Sequence, residues 1–247
     1  MSRPGRIFLG FVLGGIVLDQ SAHRLGSYRG EAGLAVAAFT LLALFALEWA
    51  FFATPPRVAW RSLGLVLPCR RAALAAVGLS LLLLAFYPVY AAATGTPLAF
   101  RADALALVPG LLAQGGVAEE TLFRGFLFRH VRADHAFWPA AFLSMLPFTA
   151  VHLPLFFTQG FAVALVSTLL ALVISFPLAA LFEWGRNSIT GPALLHFVIQ
   201  GSIKVLDVPP ERLMPMALAW MAVCAIVPWL VFALWRPGST GRAEATA

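Results

Sequence analysis

The segment Gly115-Gly116-Val117-Ala118-Glu119-Glu120-Thr121-Leu122-Phe123-Arg124-Gly125 sets two carboxylates and a guanidinium within six residues of an apolar stretch. An ionisable group in such a stretch is expensive unless it is paired or hydrated, and it faces the interior of a helix bundle or a cavity. On a helix, residues four apart lie about 40° from each other around the axis, whereas adjacent ones differ by about 100°. Glu120 therefore pairs with Arg124, and Glu119 points elsewhere. The pair has an adequate structural explanation, as a salt bridge locking one helix against its neighbours. Glu119 lacks that explanation: a carboxylate without a local cation in a low-dielectric site has the chemistry of a general base.

Two histidines lie in comparable apolar settings, His152 in Leu146-Pro147-Phe148-Thr149-Ala150-Val151-His152 and His196 in Pro192-Ala193-Leu194-Leu195-His196-Phe197. Taken alone, either one reads as a hydrogen-bonded core residue. Three separate apolar helices each carrying a catalytic-type group favour a shared site. His23, His130 and His135 adjoin Arg24, Arg129 and Asp134 in expected loops, where solvation accounts for them. Glu48 and Glu183, near the ends of apolar runs, read as anchors at the headgroup level.

The elements that must position these groups follow from composition. The 247 residues are 61% hydrophobic and 11% charged, with a mean hydropathy of +0.87, whereas soluble domains carry about 25% charged residues. Since a spanning helix needs about 20 apolar residues, the chain has room for an all-α, polytopic transmembrane bundle of seven to eight spans. Candidate spans are 34–53, 72–93, 104–128, 136–157, 160–183, 189–206 and 214–235, preceded by a short run at 7–18 that reads as a helix or as the apolar part of a signal peptide. Residues 1–236 form one expected transmembrane domain with a motif-bearing core at about 104–206, and 237–247 a disordered tail. The +6 formal charge is spread singly between apolar runs, which excludes a nucleic-acid footprint and fits membrane orientation. With both termini cytoplasmic, eleven basic residues fall on that side against five on the other, the basic loop 54–71 contributing most. Cys69 and Cys224 support neither a disulfide framework nor a thiolate metal site.

Together the three segments resemble the CPBP family, the CAAX-processing and bacteriocin-processing intramembrane endopeptidases that include Rce1-type proteases. The motif EExxxR matches Glu119, Glu120 and Arg124, with Gly125 following; FxxxH matches Phe148 and His152; a histidine followed four residues later by Asn or Asp is here His196 followed by Gln200. The resemblance spans roughly residues 104–206 and departs from the family at Gln200. It implies peptide-bond hydrolysis with Glu119 activating water, Glu120 and Arg124 as structural support, His152 and His196 positioning water or stabilising the oxyanion, and Gln200 as a fourth member whose carboxamide replaces that of Asn. No cofactor is expected on this reading; the competing one is a zinc site ligated by Glu119, His152 and His196. The expected partners are a membrane-associated peptide or protein substrate and the lipid bilayer. Arg over Lys and abundant Ala point to a bacterial inner membrane. The alternatives are a non-proteolytic scaffold or immunity protein of the same family, and a proton-coupled transporter using the buried Glu and His groups as a relay.

Overall fold

The computed structural model describes residues 1–25 and 30–238; Arg29, Arg242 and all but the first two residues of the expected tail lie outside them. In chain order come α1 (Arg3–Arg24), α2 (Glu31–Phe52), the short α3 (Pro56–Ser62), α4 (Arg70–Leu84) continued by α5 (Phe86–Thr94), and a two-residue strand β1 (Ala99–Phe100). A rod follows in which α6 (Ala104–Leu111) runs into π-wound segments at Leu112–Ala118 and Thr121–Phe128 and ends as α7 (Arg129–Arg132). The chain continues through α8 (Phe137–Ala150), α9 (Leu155–Thr158), α10 (Phe161–Trp184), α11 (Thr190–Gly201), a 3₁₀ turn, β2 (Leu206–Asp207), α12 (Pro210–Ile226) and α13 (Val231–Leu234).

The protein is an all-α membrane bundle. Among the described residues, six helical stretches are long and apolar enough to cross a bilayer: Arg3–Arg24, Glu31–Phe52, Arg70–Thr94, Phe137–Thr158, Phe161–Trp184 and Pro210–Leu234. The run at 7–18 thus lies within a 22-residue helix. The two remaining expected spans carry motifs and are less regular: 104–128 is part of the rod of mixed winding, and 189–206 is a 12-residue α-helix finished by a 3₁₀ turn.

Close backbone approaches hold these two motif elements inside the bundle. A side chain at Gly125 would meet the Leu63 carbonyl oxygen at 2.2 Å, and one at Gly116 the Ala193 carbonyl oxygen at 2.8 Å. The rod therefore lies against the loop after α3 on one side and against α11 on another, as small residues permit between membrane helices. Antiparallel pairing of Ala99 with Asp207 and Phe100 with Leu206 joins the chain entering the rod to the chain leaving α11. The far end of α11 is fixed by Tyr87 Oη, 2.8 Å from Ser202 Oγ, and by Trp220 Nε1, which donates to the Ile199 carbonyl at 3.0 Å. Its near end follows a turn in which Arg186 and Asn187 adopt positive φ, and the Ile189 amide donates to the Gly64 carbonyl at 2.9 Å.

Candidate active site

The two π-wound segments bracket Glu119 and Glu120, and such winding recurs at functional sites because it re-aims side chains that regular winding would space evenly. Glu120 is completely buried. Its Oε1 accepts from Arg124 at 3.0 Å and from His196 Nδ1 at 2.7 Å. The Glu120–Arg124 pair expected from spacing is thus present, and it reaches further than expected, because the same carboxylate oxygen orients the histidine of α11. Arg124, 2% exposed, extends its other amino group to the carbonyl and hydroxyl oxygens of Ser175 on α10, each at 3.4 Å. One guanidinium therefore ties the rod to α10 while neutralising the carboxylate that holds α11, which offsets the cost of burying charge in apolar surroundings.

Phe148 organises the second motif. Its ring lies 4.2 Å beneath the Arg124 guanidinium carbon, edge-on to Phe123 at 4.8 Å, and close to both His152 and His196, at 5.6 and 5.8 Å between centroids. Aromatic packing against this ring braces both histidines, and the cation–π contact holds Arg124 over it. His152 sits just beyond the last turn of α8 and not within the helix, since Ala150 is the final helical residue; its Nδ1 donates to the Phe148 carbonyl at 3.0 Å. The imidazole interacts electrostatically with Glu119 and His196.

A carboxylate and a carbonyl only accept hydrogen bonds, so both histidines carry a proton on Nδ1. In the neutral imidazole that leaves Nε2 as an acceptor on each ring. On His196 this nitrogen lies 3.9 Å from Glu119 Oε2, and the Glu119 side chain remains 22% exposed, against 0% for Glu120. Glu119 is thus the one carboxylate of the pair open to an incoming group.

Gln200 follows His196 by one turn. Its Nε2 donates to the Leu111 carbonyl at 3.3 Å, and its Oε1 accepts from Lys204 Nζ at 2.7 Å. The structure therefore places Gln200 against the rod just before the first π-wound segment, beside Gly115. Among the described residues, no group of three or more His, Cys, Asp or Glu side chains is disposed to hold a metal ion.

Sequence reasoning missed a second polar cluster. Glu48, expected as a headgroup anchor, is completely buried, and His130, expected in a solvated loop, is 5% exposed. His130 Nε2 lies 2.9 Å from Glu48 Oε1, Arg129 also pairs with Glu48, and Arg3 donates to the His130 carbonyl at 3.3 Å. Both expectations fail because α1, α2 and the end of the rod converge there, which apolar runs read one at a time do not reveal. Glu183 likewise receives Arg132 through two hydrogen bonds, at 2.7 and 3.2 Å. Ser175 and Lys204 were missed as well; a hydroxyl midway along α10 and the chain's single lysine were the available signals.

The family model described as type II CAAX prenyl endopeptidase Rce1-like matches residues 101–202, about two fifths of the chain and all of the site residues just described except Lys204, Glu48 and Arg3. No curated protein gives a match.

Proposed function

We propose that this membrane protein, whose residues 101–202 match the Rce1-like family model, is an intramembrane endopeptidase in which Glu119 activates water. The observation that carries this reading is the 3.9 Å separation of Glu119 Oε2 and His196 Nε2. Two acceptors each about 2.8 Å from one water stand roughly 4.4 Å apart when they take its two hydrogens. The observed spacing is close to that, and it leaves the water's lone pairs directed outward to a substrate carbonyl. Glu119 then takes one proton as the oxygen attacks the carbonyl carbon, and returns it to the amide nitrogen as the C–N bond breaks, giving a carboxylic acid and an amine. Glu120 acts one step back, by fixing the His196 tautomer and ring orientation; this adds to the structural support assigned to Glu120 and Arg124. His152, just past the end of α8, interacts electrostatically with both Glu119 and His196, and either histidine, once protonated, becomes a donor to the oxyanion. Gln200 is the fourth member, supplying a carboxamide N–H. No metal enters this route.

The substrate we propose is a membrane-associated peptide or protein, in a bacterial inner membrane with the protein's C-terminus cytoplasmic. The basic loop 54–71, which contains no acidic residue, supports that orientation. Purified protein in proteoliposomes tests the reading. Cleavage of a membrane-associated peptide, with new termini in the membrane proteome that depend on Glu119, supports it. Solute flux without cleavage replaces it with transport, and partner binding without cleavage replaces it with a scaffold.

A further inference from the structure

The departure at Gln200 raises a geometric question, because glutamine is one methylene longer than the asparagine or aspartate of the family pattern. His196 and Gln200 are successive turns of nearly one face of α11, and Lys204 lies in the 3₁₀ turn that follows it. Gln200 occupies space that no other residue at position 115 would leave: a Cβ on Gly115 would lie 1.8 Å from Gln200 Nε2 and 2.6 Å from its Cδ. Gly115 precedes Glu119 by four residues, so the carboxamide packs against the rod about one turn before the base. At its other end, the Gln200 oxygen is held by Lys204 Nζ at 2.7 Å. An ammonium is a donor only, so this contact decides which way the carboxamide faces, with oxygen toward Lys204 and nitrogen toward the rod.

We propose that Gly115 and Lys204 are positioning residues that fit the site to glutamine: Gly115 supplies the volume its longer side chain takes, and Lys204 fixes the orientation in which its N–H group faces the rod. The inference rests on the endopeptidase reading for its catalytic consequence and on packing alone for its structural one, so two readouts separate them.

The experiment combines Gly115→Ala, Gln200→Asn and Gln200→Ala singly and in pairs, with Lys204→Met and Lys204→Arg, each assayed for peptide cleavage in proteoliposomes and for thermal unfolding in detergent. A methyl at position 115 meets the mobile end of a side chain and not backbone, so Gly115→Ala folds. It lowers kcat at least about tenfold, toward the level of Gln200→Ala, with KM little changed. Adding Gln200→Asn to Gly115→Ala restores most of the rate, because the shorter side chain clears the methyl. Lys204→Met lowers kcat by a few fold, and Lys204→Arg retains it. In unfolding, Gly115→Ala shifts Tm further downward in the Gln200 background than in the Gln200→Ala background. Additive Tm shifts overturn the proposal whatever the catalytic result, as does a Gly115→Ala protein whose loss of rate is not relieved by Gln200→Asn. Absence of cleavage by the wild-type protein sinks the endopeptidase reading instead, and the Tm comparison then decides the packing arrangement by itself.

Discussion

The bundle contains two clusters built from the same three side-chain types, and only one of them is open to chemistry. Glu120, Arg124 and His196 meet between the rod, α10 and α11; Glu48, Arg129 and His130 meet where α1, α2 and the end of the rod converge. In both, one carboxylate oxygen receives an arginine and an imidazole, and the other, Glu120 Oε2 or Glu48 Oε2, is buried without a hydrogen-bond partner. The difference lies on the far side of the histidine. The His196 ring turns its remaining nitrogen toward Glu119. The His130 ring is stacked on Phe52 at 4.0 Å and lies edge-on to Phe126 at 5.0 Å, so its faces are taken by packing. A buried Glu–Arg–His cluster is therefore a structural clasp by default, and it becomes a candidate active site when a second, partly exposed carboxylate is set across the imidazole.

Glu119→Gln breaks the comparison at its sharpest point. It preserves shape and removes the base, so cleavage in a single-turnover assay falls by at least about a hundredfold, the lower end of what a general base contributes, while Tm in detergent stays near that of the wild type. Near-normal turnover by this variant ends the catalytic assignment. Glu120→Gln and Glu48→Gln are the matched pair. Each leaves an arginine without its carboxylate in a buried site, which costs about 3–5 kcal/mol, so both lower Tm. Glu120→Gln also lowers the rate per folded molecule because His196 loses its anchor, whereas Glu48→Gln leaves that rate unchanged. Equal rates for the two variants would make the clusters functionally equivalent.

Exhaustive chelation sharpens the same contrast chemically. If a carboxylate activates the water, activity persists; activity that is lost and then returns with stoichiometric Zn²⁺ found in the protein by elemental analysis makes Glu119, His152 and His196 metal ligands.

Much of this is legible in the sequence alone. The membrane class, the Glu120–Arg124 pair and the segments that meet at Glu119 follow from hydropathy and helical spacing, since both are local properties. The Glu120–His196 bond is not local: it joins residues 76 apart in sequence. The expected general base and its histidine were identifiable by type, but the carboxylate orienting that histidine read only as one half of a salt bridge. His130 misled for a related reason. Its neighbours Arg129 and Arg132 are charged and suggest solvent, yet they are directed to Glu48 and Glu183 on other helices.

The smallest expected effect concerns pH. Burial holds the His130 imidazole below its ordinary value of 6.5; Arg129 and Arg3 act in the same direction, and the hydrogen bond and charge of Glu48 oppose them. Above about 6.5 both folded and unfolded chains keep this histidine neutral and its contribution is flat. As pH falls below that value the unfolded chain takes up the proton first, so stability declines, by at most about 1.4 kcal/mol per pH unit. Tm measured from pH 7 to pH 5 falls less steeply in His130→Gln than in the wild type; parallel curves would show that His130 does not report on the clasp.

The π-wound rod makes the candidate active-site segment sensitive to a change in length. In a regular helix the loss of one residue rotates everything beyond it by about 100°. Along this rod, Gly116, Glu119, Glu120 and Gly125 face Ala193, His196 and Leu63 from fixed positions. A residue inserted between Gly116 and Gly125 would swing Glu119 and Glu120 out of register with α11 while the Gly125 contact held the other end, whereas one removed within 112–118 lets the first wide turn tighten to regular winding. The extra residue carried by each wide turn thus works as a spacer.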